Sequence, residues 1–241
     1  MSHSLPYVVM IPGTLCDSRM FARQKRALRG RARVLLLDYA RLGRQADWCR
    51  RLLVTLPERF AVAGFSLGGL WALELLRSAP ERIAGLALIA SNAEAASPAG
   101  RKKSRTLWRL WRKTVGGGPR EVAKQVKPGY FHHPAQLRLY AALVQDMALA
   151  TSRAAARAEF AWAASRPDGK PALAQLTPQQ PLLIVSGATD RLCPRPSQQA
   201  MLKAQPLAHW LEIPRCGHFV PLEAPAALNH ALQRWAGTLT A

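Results

Sequence analysis

Three side chains, Ser66, Asp190 and His218, stand in settings where a serine, an acid and an imidazole could do chemistry together. Ser66 lies in Val62-Ala63-Gly64-Phe65-Ser66-Leu67-Gly68-Gly69, an apolar stretch that runs into G-x-S-x-G and then into an amphipathic helical pattern. That context holds a serine on a sharp strand-to-helix turn, with its hydroxyl at the tip and helical N–H groups behind it. Glycines on either side suit a turn that strains the serine and brings neighbouring chain too close for a Cβ. Asp190 closes Pro181-Leu182-Leu183-Ile184-Val185-Ser186-Gly187-Ala188-Thr189-Asp190, whose apolar run reads as a buried parallel strand with the acid in the loop at its carboxyl end. A short helix near 197–204 and a strand near 208–213 come next, and Arg215-Cys216-Gly217-His218 follows directly. A serine hydroxyl is a poor nucleophile until a base takes its proton. Imidazole suits that task near neutral pH, and a carboxylate beside it fixes the tautomer and stabilises the imidazolium. The expected chemistry is attack by Ser66 on an acyl carbonyl, with His218 as base and Asp190 as its orienting partner.

Blander readings exist for each residue. Ser66 could simply N-cap a helix, and Asp190 could be a turn residue before Arg191. Asp38, Asp146 and Asp168 are rival acids. His3 is terminal, His132 and His133 fall in a helical stretch, His209 lies inside a strand pattern and His230 inside the last helix. His218 alone follows glycine at a strand end. Glu223 reads as a helix-terminal acid near the next helix N-terminus. For the tetrahedral oxyanion, two backbone N–H donors are expected. One belongs to Leu67, after the nucleophile, and the other to Thr14, with Leu15 second, in the loop after the first strand.

The elements that must position these residues alternate. Strands are expected at 7–11, 33–38, 59–63 and 83–90, with helices at 19–29, 47–56 and 67–77 between them, and a closing helix at 224–235. Such alternation implies a doubly wound, mostly parallel sheet, with ligands bound outside the carboxyl ends of the strands. From 92 to 177 the strand patterns stop and long, Arg/Lys-rich helical segments appear. The expected organisation is therefore a core at 1–91 and 178–241 with a helical cap at 92–177.

With these segments in view, the chain resembles the α/β-hydrolases over nearly its whole length. Met10-Ile11-Pro12-Gly13-Thr14-Leu15-Cys16-Asp17 is similar to the oxyanion-loop segment of a bacterial subgroup that carries P-G-x-L-C-D there. The nucleophile segment 64–69, the acid segment 187–194 (G-A-T-D-R-L-C-P) and the histidine segment 216–225 (C-G-H-F-V-P-L-E-A-P) match in order, and Ser…Asp…His is that family's order. Many relatives have His-Gly where this chain has Pro12-Gly13. The resemblance implies a serine hydrolase acting on a carboxylic ester or thioester. Acyl transfer or peroxidation by the same three residues, or a catalytically silent ligand-binding protein on the same fold, are the alternatives.

The bulk composition bounds the rest. At 241 residues and 49% apolar, the chain can bury one sizeable core. No apolar run approaches a membrane span, and no basic-then-apolar leader pattern opens the sequence, so a cytoplasmic enzyme is expected. Four cysteines, Cys16, Cys49, Cys193 and Cys216, lack metal-type spacing and read as free thiols. Cys16 and Cys216 fall in loops expected to border the site, which leaves inhibition by thiol reagents open. Nothing implies a metal or an organic cofactor.

Net charge is +20, with 26 Arg against 8 Lys. Residues 101–127 hold ten basic side chains, Arg101, Lys102, Lys103, Arg105, Arg109, Arg112, Lys113, Arg120, Lys124 and Lys127, against Glu121 alone. Leu107, Trp108, Leu110 and Trp111 interleave with them, as in a helix with its apolar face down and a solvated basic face up. An acidic acyl carrier protein or a coenzyme A thioester would fit such a surface. The carrier-protein methyl ester esterases of biotin synthesis are similar in fold and charge, though no basic position matches residue by residue. No nucleic-acid motif accompanies the charge, so only salt-sensitive, non-specific affinity is expected there. The glycines 116–118 are not followed by G-K-[ST] and read as a joint between helices rather than a phosphate loop. Leu15, Trp108, Trp111, Tyr130, Phe131 and Trp162 are the candidates to line the substrate pocket.

Overall fold

Apolar runs of four to seven residues become the strands of a parallel sheet, in a computed structural model that describes residues 4–37, 45–113, 118, 121 and 130–240. Among the described residues the strands are β1 (Tyr7–Ile11), β2 (Arg33–Leu36), β3 (Phe60–Phe65), β4 (Ile83–Ile89), β5 (Leu182–Gly187) and β6 (His209–Ile213). Their spatial order is β2-β1-β3-β4-β5-β6, and every neighbouring pair is parallel. The order reverses between β1 and β3, which opens a crevice beyond their carboxyl ends. Ile11 pairs with Gly64 there, so the loop after β1 and the turn after β3 start side by side.

Helices cover both faces, as a parallel sheet requires. β3, β4 and β5 are buried along their whole length. One face packs Val8, Met10, Ala63 and Val185 against Leu28, beyond α1 (Ala22–Ala27), and against Leu228, Leu232 and Trp235. The other packs Val9, Ile11, Val62 and Ile184 against Trp48 of α2 (Gln45–Thr55) and Trp71, Leu75 and Leu76 of α3 (Leu67–Ser78). Alternate residues of one strand thus serve opposite faces.

Between β4 and β5 the described residues form helices only: α4 (Pro98–Arg112), α5 (Pro134–Ala150), α6 (Arg153–Ser165) and the short α7 (Lys170–Leu173). Ser97, His133 and Ser152 cap the first three, each accepting a backbone N–H in the first turn. α4 lies on α6, with its basic residues Arg101, Lys102, Lys103, Arg105, Arg109 and Arg112 exposed and Ser104 and Trp111 buried. A third apolar cluster joins Leu15, after β1, to Trp111, Ala148, Ala156 and Phe160. The chain then closes through α8 (Arg195–Ala204), α9 (Val220–Glu223) and α10 (Pro225–Ala236).

Two elements differ from expectation. The helix expected at 19–29 is a 3-10 turn, Ser18–Phe21, running into α1, because the Asp17 side chain caps the Arg19 N–H and starts a tight turn. The strand expected at 59–63 continues to Phe65, which delivers Ser66 directly at its end. Asp38, Gly116, Gly117, Arg120, Lys124 and Lys127 lie outside the described residues. Among the described residues no helix is long and apolar enough to cross a membrane.

Candidate active site

Ser66 is the hinge of the turn between β3 and α3, with φ 52° and ψ −116°. A non-glycine residue there is strained, typically by about 1–3 kcal/mol, and must be held from outside. The Ser66 N–H donates to the Ile89 carbonyl at 2.9 Å, and its carbonyl accepts from the Ser91 hydroxyl at 2.8 Å and the Gly69 N–H at 3.0 Å. The glycines make room for this. A Cβ on Gly64 would stand 2.4 Å from the Gly68 carbonyl, and one on Gly68 2.0 Å from the Ile11 carbonyl oxygen.

Asp190 and His218 arrive at the ends of β5 and β6 and meet the serine. His218 Nε2 lies 3.0 Å from Ser66 Oγ, and its Nδ1 lies 2.9 Å from Asp190 Oδ2. Asp190 Oδ1 accepts the N–H groups of Leu192 at 2.8 Å and Cys193 at 3.0 Å. Burial alone would push this carboxyl up. The facing imidazole and the two N–H donors outweigh it and hold the group below the usual carboxylate value. The sign of the linkage follows: a depressed folded pKa contributes stability that is present above the unfolded value of about 3.9 and is lost as pH falls through the folded one. Asp190→Asn is therefore expected to lower the urea midpoint more at pH 7 than at pH 3. An equal loss at both pH values would contradict this account of Asp190.

Cys193 Sγ, a His218 nitrogen and an Asp190 oxygen also fall within 4.8 Å of one another. Burial pushes the Cys193 thiol up to about 12, so a cation there would have to displace a tightly held proton and break the Asp190–His218 bond.

The serine opens into a cavity of about 350 Å3 lined by Thr14, Leu15 and Cys16 from the loop after β1, by Leu107, Val144, Ala148 and Phe160 from the inserted helices, and by Leu192 and Phe219. Leu67 opens α3, so its N–H is one of those with no intrahelical acceptor. In the loop after β1 the Leu15 N–H donates to Glu159 Oε2 at 2.7 Å. That bond occupies the Leu15 N–H, and Thr14 beside it lines the cavity.

A hydroxyl on a strained turn, hydrogen-bonded to an imidazole that is hydrogen-bonded to a buried carboxylate, can be deprotonated as it attacks an acyl carbonyl. The alpha/beta hydrolase family model matches residues 8–231. The chain belongs to the alpha/beta hydrolase family.

Solved structures of similar fold include two named enzymes and a hydrolase. An esterase from Thermogutta terrifontis, solved with malate bound, superposes with a TM-score of 0.84 at 23% identity, over 99% of this chain and 92% of that one. An enol-lactonase from Burkholderia xenovorans LB400 gives 0.81 at 22% identity, over 97% and 92%. A hydrolase from Pseudomonas aeruginosa gives 0.80 at 24%, over 97% and 90%. At such identities the likeness speaks for the fold. No curated protein matches the chain in sequence.

Within this alpha/beta hydrolase the structure redistributes the candidate pocket residues. Leu15 and Tyr130 line the cavity, whereas Trp108, Trp111, Phe131 and Trp162 are not among its lining residues. Trp162 stacks on Trp71 at 4.5 Å against the sheet, Phe131 stacks on Phe219 at 4.8 Å, and Trp111 packs edge-on to Phe160 at 6.4 Å. Trp108 is half-buried in the cluster around Trp111. The face of α6 that meets the cavity carries Phe160 and Ala163 instead.

Two acids have roles the sequence reading missed. Glu159, fully buried on α6, reaches across to the loop after β1. Its signal is an acid set among Ala, Phe and Trp in Ala156-Arg157-Ala158-Glu159-Phe160-Ala161-Trp162. Glu223 ends α9 just before α10, as read from sequence, and it also binds the loop that carries His218: it accepts the Gly217 and Phe219 N–H groups at 3.0 Å each and the His132 N–H at 2.8 Å. The His218 N–H in turn donates to the Tyr130 carbonyl at 2.7 Å.

The four cysteines are free thiols, as expected. Cys16 and Cys216 do border the site, but both are buried, and burial raises their thiols strongly, with Glu159 and Asp17 adding to the effect at Cys16. Burial raises Cys49 and Cys193 to about 12. The thiolate is the reactive form, so iodoacetamide at neutral pH is expected to leave Ser66-dependent activity intact. Rapid inactivation in step with alkylation of Cys16 would contradict this.

Proposed function

We propose that the protein is a serine hydrolase that cleaves a small carboxylic ester or thioester through an acyl-enzyme. The observation that carries the reading is the continuous relay from Asp190 through His218 to a Ser66 hydroxyl held on a strained turn, at 2.9 and 3.0 Å, at the floor of a mainly apolar cavity. His218 Nε2 takes the hydroxyl proton as Ser66 Oγ bonds to the acyl carbon. The oxygen that becomes negative is held by the Leu67 and Thr14 N–H groups, each donor typically contributing about 3–4 kcal/mol in such sites. Asp190 stabilises the imidazolium, which then protonates the leaving alcohol or thiol. His218 next draws a proton from water, which attacks the acyl-enzyme and releases the acid.

A ligand-binding protein on the same fold would have no need of a strained serine and two aligned hydrogen bonds. Steady-state hydrolysis of p-nitrophenyl esters of increasing acyl length, with fluorophosphonate labelling of the serine, tests the reading. Labelling at Ser66 and turnover that peaks at short acyl groups are expected. No labelling and no turnover at any length would refute it.

A further inference from the structure

Beyond the relay, the cavity carries charge of one sign. Lys103 of α4 and Arg166, just past the end of α6, line it, and no Asp or Glu is among its lining residues. On α4, Gly100, Lys103, Ser104 and Leu107 follow helical spacing and all line this cavity, so Lys103, itself exposed, stands at the cavity's rim. α4 and α6 lie against each other, which puts both cations in the wall made by the inserted helices.

Arg166 is held in an unusual state. Its Nε donates to the Glu94 carbonyl at 3.0 Å and its Nη1 to the Ala163 carbonyl at 2.7 Å. Both acceptors are neutral main chain, and none of the ion pairs among the described residues includes Arg166. Half-buried, its guanidinium is pulled below the ordinary value by burial, against the opposing attraction of the Glu94 carboxylate, whose Oε1 accepts the Ser197 hydroxyl. A guanidinium stays charged all the same and has donors beyond the two in use. A partly desolvated cation fixed in place beside an apolar cavity attracts an anion more strongly than one in water does.

We propose that Arg166, assisted by Lys103, binds a carboxylate carried by the substrate, so that the ester cleaved here is a small carboxylate-bearing one, such as the half-ester of a short dicarboxylic acid. This rests on the hydrolase reading above and narrows it to a substrate class. The cavity volume of about 350 Å3 suits a small molecule. The rival explanation for any anion preference is the long-range field of a chain with net charge +20. A field that diffuse would barely notice the loss of one charge.

The test is the ratio of kcat/KM for monomethyl glutarate to that for methyl pentanoate, followed by proton release. The wild type is expected to favour the half-ester at least about tenfold. Arg166→Gln is expected to cut that ratio about tenfold and Lys103→Met by several-fold. Lys102→Met, which removes the same charge from a neighbouring position that does not line this cavity, leaves the ratio unchanged. A purely structural role for Arg166, through Glu94 and Ala163, would lower both substrates together and spare the ratio. A wild-type ratio near one, or an unchanged ratio in Arg166→Gln, overturns the proposal. If Arg166→Gln does not fold, Lys103→Met and competitive inhibition of the wild type by glutarate decide, and absence of that inhibition counts against the carboxylate site. If neither ester is turned over, fluorophosphonate labelling separates the two readings. No label at Ser66 refutes the hydrolase. A label that glutarate does not slow refutes the carboxylate site alone.

Discussion

Replacing Ser66 by alanine is expected to lower ester turnover at least about ten-thousand-fold while the protein remains folded. The hydroxyl makes its hydrogen bond to His218 Nε2, and the forces that hold the turn act on the main chain, through Ile89, Ser91 and Gly69. Alanine keeps all of those and carries no greater strain at φ 52° than serine does. A structural serine would behave the other way round, losing stability with little effect on rate. The decisive comparison pairs kcat with a thermal melt. Loss of rate with a melting temperature within a few degrees of wild type supports the nucleophile. Retention of more than a trace of turnover ends that assignment.

The second large effect falls on stability. Gly68→Ala puts a methyl group 2.0 Å from the Ile11 carbonyl oxygen and 2.5 Å from that of Pro12. Both are main-chain atoms at the end of β1, so no side chain can swing aside. Overpacking in a core costs about 1–3 kcal/mol when side chains can adjust, and this site should exceed that range. A loss above about 3 kcal/mol corresponds to a fall of roughly 10 °C in Tm for a chain of this size. Thermal unfolding of the variant checks it. Because the displaced segment leads into Gly13 and Thr14, turnover should fall too, even at temperatures where the variant is folded. A melt shifted by only a degree or two would mean that α3 can slide away from β1.

Ser66, Asp190 and His218 were legible in the sequence because each follows an apolar run, and buried parallel strands read as such runs. Their convergence then follows from topology, since all parallel strands end on one side of the sheet. Direction on a helix was much less legible. Phe160 and Trp162 sit two residues apart on α6, about 200° around the axis, and only packing decides that Phe160 meets the cavity while Trp162 stacks on Trp71. Glu159 escaped because its partner Leu15 lies 144 residues away, whereas Glu223 gathers N–H groups from Gly217 and Phe219 nearby and from His132, 91 residues away, which only the folded loop brings together. The cysteines read correctly as free thiols, but their burial was not legible, because position beside a site does not reveal depth, and depth sets the thiol.

The hydrogen bond from Leu15 to Glu159 means that the helices between β4 and β5 are not a detachable module. A chimera that grafts another member's helices onto this sheet must supply an acceptor for that same N–H. Without one, a buried donor is left unmet at about 1–3 kcal/mol, and the slack appears one residue from Thr14. Residues such as Leu107 and Val144 can drift to reshape the cavity, but position 159 is tied to the far side of it. Libraries aimed at new acyl groups should therefore vary the former and leave the latter fixed.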